Sequence, residues 1–246
     1  VSSEAAGKLR GLGISSFLET SRGAPQEGAE VTFAADGQIE LRVGTESNGQ
    51  GHETSYKQIA ADRFGLPMDA FRYIQADTRE TQIGFGHGGA RSMHMGGGAM
   101  VRAIDEVLEK AKSVAARLLQ AEATDLAFAD GAFSVPSTGQ SVSLADVAAE
   151  AGDGGLDTFV FNKDVPFTFP NGCQAAEVEI DPETGAVELL RYIAVDDYGN
   201  LVNPMLTVGQ VQGGLAQGIG QALGEDCTYD ADSGQLLAGS MMDDWM

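Results

Sequence analysis

Basic residues are scarce in the second half of this 246-residue chain, and that scarcity excludes whole classes of partner. After residue 117 only Lys163 and Arg191 are basic, against 21 acidic residues, so residues 118–246 carry a net charge of −19 and residues 1–117 only −2. This balance disfavours binding to nucleic acid or to an anionic membrane. A well-solvated surface explains the acidic half; a basic partner or a further segment covering it is the alternative.

Cysteines and long apolar runs are also few. Cys173 and Cys227 cannot supply a disulfide framework or the four thiolates of an iron–sulfur cluster. No run of 18 or more apolar residues exists, and the first residues lack the basic and apolar regions of a secretory signal. We therefore expect a cytoplasmic protein. The chain does not begin with Met, which is consistent with processing or with a piece cut from a longer protein.

Hairpin signals dominate the predicted secondary structure, because Asp-Gly, Ser-Gly and Asp-Pro turns separate many of the apolar runs. Strands are predicted at residues 9–19, 31–34, 38–44, 71–75, 126–128, 133–135, 174–180, 186–195, 227–229 and 235–237. Helices are predicted at residues 54–64, 99–122, 144–151 and 206–223. The elements show no regular βαβ alternation, which predicts an α+β fold with mixed sheets, hairpins and packed helices. The glycines of residues 152–155 suggest a seam between subdomains 1–152 and 153–246.

The first candidate site is the strand-to-helix connection at residues 44–52. Gly49 and Gly51 would let the backbone approach a ligand closely, and the N–H groups at a helix start favour an anion or a ligand oxygen. Gln50 offers both a donor and an acceptor, and His52 could cap the helix or contact a phosphate. A tight turn with an ordinary cap explains the same pattern, so both readings stay open.

The second candidate site is the glycine-rich stretch 84–98, which has seven glycines and is predicted to be a loop. Within it, residues 84–92 read GFGHGGARS. Successive N–H groups of such a loop bind anions, Arg91 would supply a bidentate fork, and Ser92 a hydroxyl. The alternative is a flexible surface loop with a solvated arginine. Two such loops in one chain favour a ligand that carries phosphate.

Other candidate residues give weaker signals. His52, His87 and His94 lack the spacing of zinc ligands, so no metal-ligating residue is assigned. Asp196 and Asp197 follow a predicted strand and could form an acid–base pair or cap a turn. The predicted helix 206–223 contains several glycines, each unfavourable in a helix, which indicates close packing against backbone or a cofactor. Those glycines are Gly209, Gly213, Gly214, Gly218 and Gly220.

The amino-acid sequences of these segments resemble those of the molybdenum hydroxylases, the group of xanthine dehydrogenase, aldehyde oxidase and aerobic carbon monoxide dehydrogenase. Residues 44–54, GTESNGQGHET, resemble the cofactor loop of that family, and residues 88–92, GGARS, resemble its GGSRS loop. Further matches are FTFPNG at 167–172, VDDYG at 195–199, NPM at 203–205 and GQVQGG at 209–214. The motifs cover nearly the whole chain in order. Tyr198 departs from the pattern, since many bacterial members have cysteine there.

The resemblance implies a molybdopterin cofactor in its cytosine dinucleotide form. By position, ten residues would hold it: Gln50, Gly51 and His52 at the pterin and its phosphate, Gly89, Ala90, Arg91 and Ser92 at the phosphate or nucleotide, and Asp197, Tyr198 and Gln210 along the rest of the pocket. The implied reaction is oxidative hydroxylation of an aldehyde or N-heterocycle, or oxidation of carbon monoxide.

The resemblance also implies partners. These are the remaining segments of the molybdenum subunit, an iron–sulfur subunit and a flavin subunit that carries FAD, together forming an oligomer. The family's catalytic glutamate would fall after residue 246, so no catalytic residue is assigned, and the chain alone is expected to be catalytically incomplete. Two other hypotheses remain: a non-catalytic module that binds a phosphorylated small molecule, and a structural subunit that pairs through the apolar helix 206–223.

Overall fold

The computed structural model describes residues 2–75, 77–240 and 242. Its helices are α1 (Ser2–Ala5), α2 (His52–Phe64), α3 (Gly98–Leu119), α4 (Leu144–Ala151) and α5 (Pro204–Leu223). Its strands are β1 (Leu9–Leu18), β2 (Gln26–Phe33), β3 (Ile39–Val43), β4 (Phe71–Gln75), β5 (Ala127–Ala129), β6 (Ala132–Val135), β7 (Gln140–Ser143), β8 (Thr158–Lys163), β9 (Asn171–Ile180) and β10 (Val187–Asp197). A π-helical segment, Ser92–Gly97, leads directly into α3.

Internal contacts group the chain into two compact units. The large unit is Glu19–Pro170, and the small unit joins Val1–Leu18 to Asn171–Met246. These units divide the chain differently from the predicted subdomains 1–152 and 153–246. Two strand pairings explain the difference. β8 pairs with β2 and so joins the sheet of the first half, and β1 pairs with β9, which places residues 1–18 with the second half.

The large unit is built on a four-stranded sheet in the order β4-β3-β2-β8. The β3–β4 pair is parallel, and the β2–β3 and β2–β8 pairs are antiparallel. Alternation in β3 buries Ile39, Leu41 and Val43, and the amphipathic helix α3 packs its apolar face on β2 and β8. Full burial of such a side chain contributes about 1.5–3 kcal/mol. This layer forms the core on which both glycine-rich segments rest.

A second, smaller layer completes the large unit. The strands β5, β6 and β7 form an antiparallel sheet, and α4 follows directly. Ser143 caps α4, as its hydroxyl oxygen accepts from the Asp146 backbone N–H at 3.0 Å.

The small unit is an antiparallel sheet in the order β1-β9-β10, together with α1 and α5. One face carries Leu12, Ile14, Ile193 and Val195, which are 67%, 69%, 49% and 70% exposed. Ile14, Ala175 and Ile193 lie in register across the three strands. Asn203 and Pro204 start α5 with a side-chain cap and a favourable N-terminal proline, yet the helix buries none of its residues.

The predicted α+β class with mixed sheets and hairpins is confirmed, and so are the main helices. Three predictions differ from the structure. The glycines of residues 92–98 are helical because Gly96 and Gly97 are buried and packed. The strands β7 and β8 were not predicted, and the last predicted hairpin is reduced to a single bridge between Tyr229 and Leu236.

Candidate functional site

The first glycine-rich segment runs from Gly44 to the start of α2. Gly51 is the N-cap residue of α2 with φ +79°, and no described side chain caps the helix. The amide of Gln50 folds the loop on itself: its Oε1 accepts from the Asn48 N–H at 2.6 Å, and its Nε2 donates to the Glu46 carbonyl at 3.3 Å. The N–H groups of the first turn thus have no side-chain competitor at the positive end of the helix dipole.

His52 follows at the first position of α2 and is only 4% exposed. Its Nδ1 is buried and has no hydrogen-bond partner within the described part of the chain. The ring meets the edge of Tyr56 with centroids 5.9 Å apart. Burial lowers the pKa of the imidazole, and the charge of nearby His87 lowers it further. A buried polar atom without a partner is uncommon, and this one lies beside an uncapped helix start.

The second glycine-rich segment, residues 84–90, is largely exposed and has an unusual backbone. Gly86, Gly89 and Ala90 adopt φ values of +71°, +89° and +52°. Residues 21–22 hold it from one side, since the Arg22 N–H donates to the Gly89 carbonyl at 3.2 Å and the Ser21 hydroxyl to the Ala90 carbonyl at 2.9 Å. An ordered loop of this kind suits a ligand that takes backbone hydrogen bonds.

Arg91 is buried, whereas the predicted bidentate contact with a phosphate needs an accessible guanidinium. Its side chain is fully buried and forms an ion pair with the equally buried Glu27, Nη1 to Oε2, at 2.5 Å. The guanidinium also donates to the carbonyls of Gly86 and Gln26, each at 2.5 Å. Both terminal nitrogens are paired inside the protein, so the guanidinium supports the loop from beneath; its Nε is buried and has no hydrogen-bond partner within the described residues.

The two segments lie side by side in the large unit. Gly44 and Gly84 approach so closely that a Cβ built on Gly84 would lie 2.7 Å from both the Cα and the carbonyl oxygen of Gly44. His87 Nδ1 lies 3.4 Å from Glu46 Oε1, so the two loops also approach each other here. Seven of the ten predicted residues thus lie on these two segments or at their ends within the large unit: Gln50, Gly51, His52, Gly89, Ala90, Arg91 and Ser92. Of these, Arg91 and His52 are buried.

The remaining three predicted residues belong to the small unit. Asp197 ends β10 and accepts from the Gly199 N–H at 2.8 Å, which is the turn-capping arrangement considered for the Asp196–Asp197 pair. Tyr198 donates to Asp196 at 2.8 Å, and burial together with this hydrogen bond raises the pKa of its phenol to about 12. Gln210 is exposed on α5.

Sequence reasoning missed the residues that hold the two segments in place. Glu27 lies within β2, and nothing in its neighbourhood along the chain distinguishes it from a surface carboxylate. Tyr56 is buried in α2, and its hydroxyl lies 2.8 Å from Thr45 Oγ1 and donates to the Ser92 carbonyl at 2.7 Å. Only the pairing with Arg91 and with residues 45 and 92, all distant in sequence, reveals their roles.

None of the helices in the described part of the chain is long and apolar enough to cross a membrane. Across residues 2–75, 77–240 and 242, no three or more His, Cys, Asp or Glu side chains are grouped so as to hold a metal ion.

Comparison with known proteins identifies the family. The family described as "Molybdopterin cofactor-binding domain" matches residues 1–245, and the chain belongs to it. The nicotine 6-hydroxylase large subunit of Paenarthrobacter nicotinovorans is 35% identical over 97% of this chain and 32% of its own length. The carbon monoxide dehydrogenase large chain of Hydrogenophaga pseudoflava is 31% identical over 96% of this chain and 32% of its own length.

A solved structure agrees with these relatives. The crystal structure of a Cu,Mo-CO dehydrogenase superposes with a TM-score of 0.89 at 29% identity, covering 99% of this chain and 33% of that one. The resemblance to the molybdenum hydroxylases inferred from the motifs is therefore confirmed. The chain spans about a third of the length of the curated relatives it matches.

Proposed function

We propose that the two glycine-rich segments of the large unit bind the pterin and phosphate groups of a molybdenum cofactor, in its cytosine dinucleotide form. The observation that carries this proposal is the close contact of Gly44 with Gly84, which joins the segment that ends in an uncapped helix start to the segment with left-handed residues. Helix N-termini and glycine loops of this kind bind phosphate through backbone N–H groups and the helix dipole.

The residues present fit such a ligand. His52 Nδ1 is buried without a partner in the described chain and can donate to, or accept from, a polar group at the start of α2. Residues 84–90 are largely exposed, and His87 among them is near enough to His52 to affect its pKa. We assign the phosphate contacts to the backbone of Gly51, His52, Gly89 and Ala90, and to the Ser92 hydroxyl. In this assignment Arg91 shapes the loop and does not touch the ligand.

Asp197, Tyr198 and Gln210 remain proposed contacts for the rest of the cofactor. Their support is the motif order around VDDYG and GQVQGG and the exposure of Gln210 on α5. Because Asp197 uses one carboxylate oxygen to cap the turn at Gly199, its second oxygen would be the one that contacts a ligand.

For the whole protein we infer an oxidoreductase that hydroxylates an aldehyde or N-heterocycle or oxidises carbon monoxide. The cofactor would supply the two-electron oxidation, and the residues of this chain would bind and orient it. The names of the relatives, a carbon monoxide dehydrogenase and a nicotine 6-hydroxylase, support this range of substrates. We further propose iron–sulfur and FAD-carrying partner subunits and a cytoplasmic location.

The proposal is tested by titration calorimetry of the chain with cytidine diphosphate and adenosine diphosphate. We expect cytidine diphosphate to bind more tightly. Substitution His52→Phe, which keeps an aromatic ring against Tyr56 but removes both ring nitrogens, should weaken binding about 5–10-fold, the value of one hydrogen bond. Gln140→Ala, in the separate β5-β6-β7 sheet, is the control and should bind like the unaltered chain.

Two results would contradict the proposal. One is equal affinity for both nucleotides together with no effect of His52→Phe, which would indicate a generic anion site elsewhere. The other is no binding of either nucleotide at millimolar concentration while the chain is folded.

A further inference from the structure

Three buried contacts tie the first glycine-rich segment to the second. The Gly44–Gly84 approach is the first, and it leaves no room for a side chain on either residue. The second is the Glu27–Arg91 ion pair, and the third is the Tyr56 hydroxyl between Thr45 and Ser92. We infer that Glu27 and Tyr56 are positioning residues, which fix the two segments relative to each other before any ligand binds. This inference rests on the proposed function of those segments.

Tyr56 is well suited to this role because its hydroxyl is satisfied on both sides. It donates to the Ser92 carbonyl at 2.7 Å, so the Thr45 hydroxyl 2.8 Å away serves as the donor to it. Thr45 lies near the start of the first segment, and Ser92 follows residues 84–90 of the second. The phenol is fully buried and stacks on Tyr73 with centroids 5.4 Å apart, so it has no path to a ligand. Its hydroxyl also lies where a Cβ of Gly96 would be, which explains the glycine there.

Glu27 reaches both segments with its two carboxylate oxygens. Oε2 pairs with Arg91, whose guanidinium holds the Gly86 carbonyl inside the second loop at 2.5 Å. Oε1 accepts from the Gly28 N–H at 2.9 Å and occupies the space where a Cβ of Gly44 would be. A buried ion pair is a weak source of stability, because desolvation offsets much of the attraction. Its value here is geometric, since it fixes the second loop against the end of β3.

We expect that removing the contacts of either Tyr56 or Glu27 makes both loops open more readily. The test is hydrogen–deuterium exchange of the ligand-free chain with Tyr56→Phe and with Glu27→Gln. Each substitution should speed exchange about tenfold in residues 46–50 and in residues 84–90, because local opening needs less free energy once a tie is lost. Exchange in the buried centre of α3 should change much less. Tyr192→Phe, which removes a phenol–Gln174 hydrogen bond in the small unit, is the control and should leave both loops unchanged.

A merely structural role gives a different result. If Tyr56 only stabilised the fold, Tyr56→Phe would speed exchange in α3 and in the loops by the same factor, and the inference would be overturned. Acceleration confined to the loop nearest the substitution would overturn it as well. Should Glu27→Gln fail to fold, the comparison of Tyr56→Phe with Tyr192→Phe still decides.

The same variants separate this inference from the proposed function. Cytidine diphosphate should bind about tenfold more weakly to Tyr56→Phe, although the phenol is buried away from solvent. If the loops loosen together but no nucleotide binds to any variant, the ligand assignment fails and the positioning role stands. If nucleotide binds equally to all variants, and amide exchange in the loops is the same in the variants as in the unaltered chain, the positioning role fails and the ligand assignment stands.

Discussion

At His52 a titratable ring is enclosed next to a site proposed to receive a negative charge. The ring is 4% exposed, and its Nδ1 finds no partner in the described chain. Burial favours the neutral imidazole, and His87 adds a repulsive charge. A bound phosphate would reverse this balance, since a nearby anion stabilises the protonated form.

The pKa of His52 gives a direct prediction. In the folded chain it should titrate below its usual value of 6.5, measured by NMR of the ring protons. The unfolded chain then binds more protons between the two pKa values, so the free energy of unfolding should fall as the pH drops below 6.5. His52→Phe should show a shallower fall over that window. A folded pKa at or above 6.5 without ligand would contradict the described burial.

Arg91 shows what sequence can and cannot say about a single residue. The GGARS motif correctly located a loop with an unusual backbone, because glycines at such positions are a local signal. The partner that decides what the guanidinium does, Glu27, is 64 residues away. Such a long-range ion pair leaves no trace in the pattern around either residue. The sequence therefore located the segment, whereas the burial of the guanidinium against Glu27 is visible only in the structure.

Among the elements, α5 was predicted nearly to its ends, yet its glycines do not pack as expected. The helix runs from Pro204 to Leu223, and the Asn203 cap gives it a defined start. No atom of the described chain lies within 4 Å of a Cβ built on Gly209, Gly213, Gly214 or Gly218. The local pattern was thus sufficient to predict the helix. No contact among the described residues explains why these four positions are glycine.

Because Gly213 and Gly214 of α5 face open space, alanine substitutions there should stabilise the helix. Gly213→Ala and Gly214→Ala should each stabilise α5 by about 0.8–1 kcal/mol, since alanine has the better helix propensity and meets no obstacle. Amide exchange within α5 is the measurement. Gly220→Ala is the matched control on the same helix, with a smaller gain because its Cβ would meet the Glu225 carboxylate. Destabilisation by Gly213→Ala would mean that this face is packed in solution.

Residues 92–97 are the element that sequence reasoning misjudged most. Their glycines predicted a loop, but Gly96 fits beneath the Tyr56 hydroxyl in a π-helical segment. Glycine permits both a flexible loop and a close approach, and only the tertiary neighbour decides between them. β8 was missed for a similar reason, since its assignment depends on its pairing with β2 more than 120 residues earlier.

At the scale of the whole molecule, the two units differ in how well they bury apolar surface. The buried core cluster lies in the large unit, whereas the small unit exposes Leu12, Ile14, Ile193 and Val195 on one sheet face. Exposed apolar patches of this kind are typical of interaction surfaces. The fold class was predictable because hairpin signals are local; the division into units was not, because the β2–β8 pairing sets it.

Residues 46–54 and 84–92 are proposed to form one ligand site. Amide hydrogen–deuterium exchange in the presence of a ligand tests this directly. Hydrogen–deuterium exchange of the chain should be compared with and without saturating cytidine diphosphate. We expect slower exchange in both segments together, and unchanged exchange in the β5-β6-β7 sheet. Protection of only one segment, or protection elsewhere with none at residues 84–92, would contradict it.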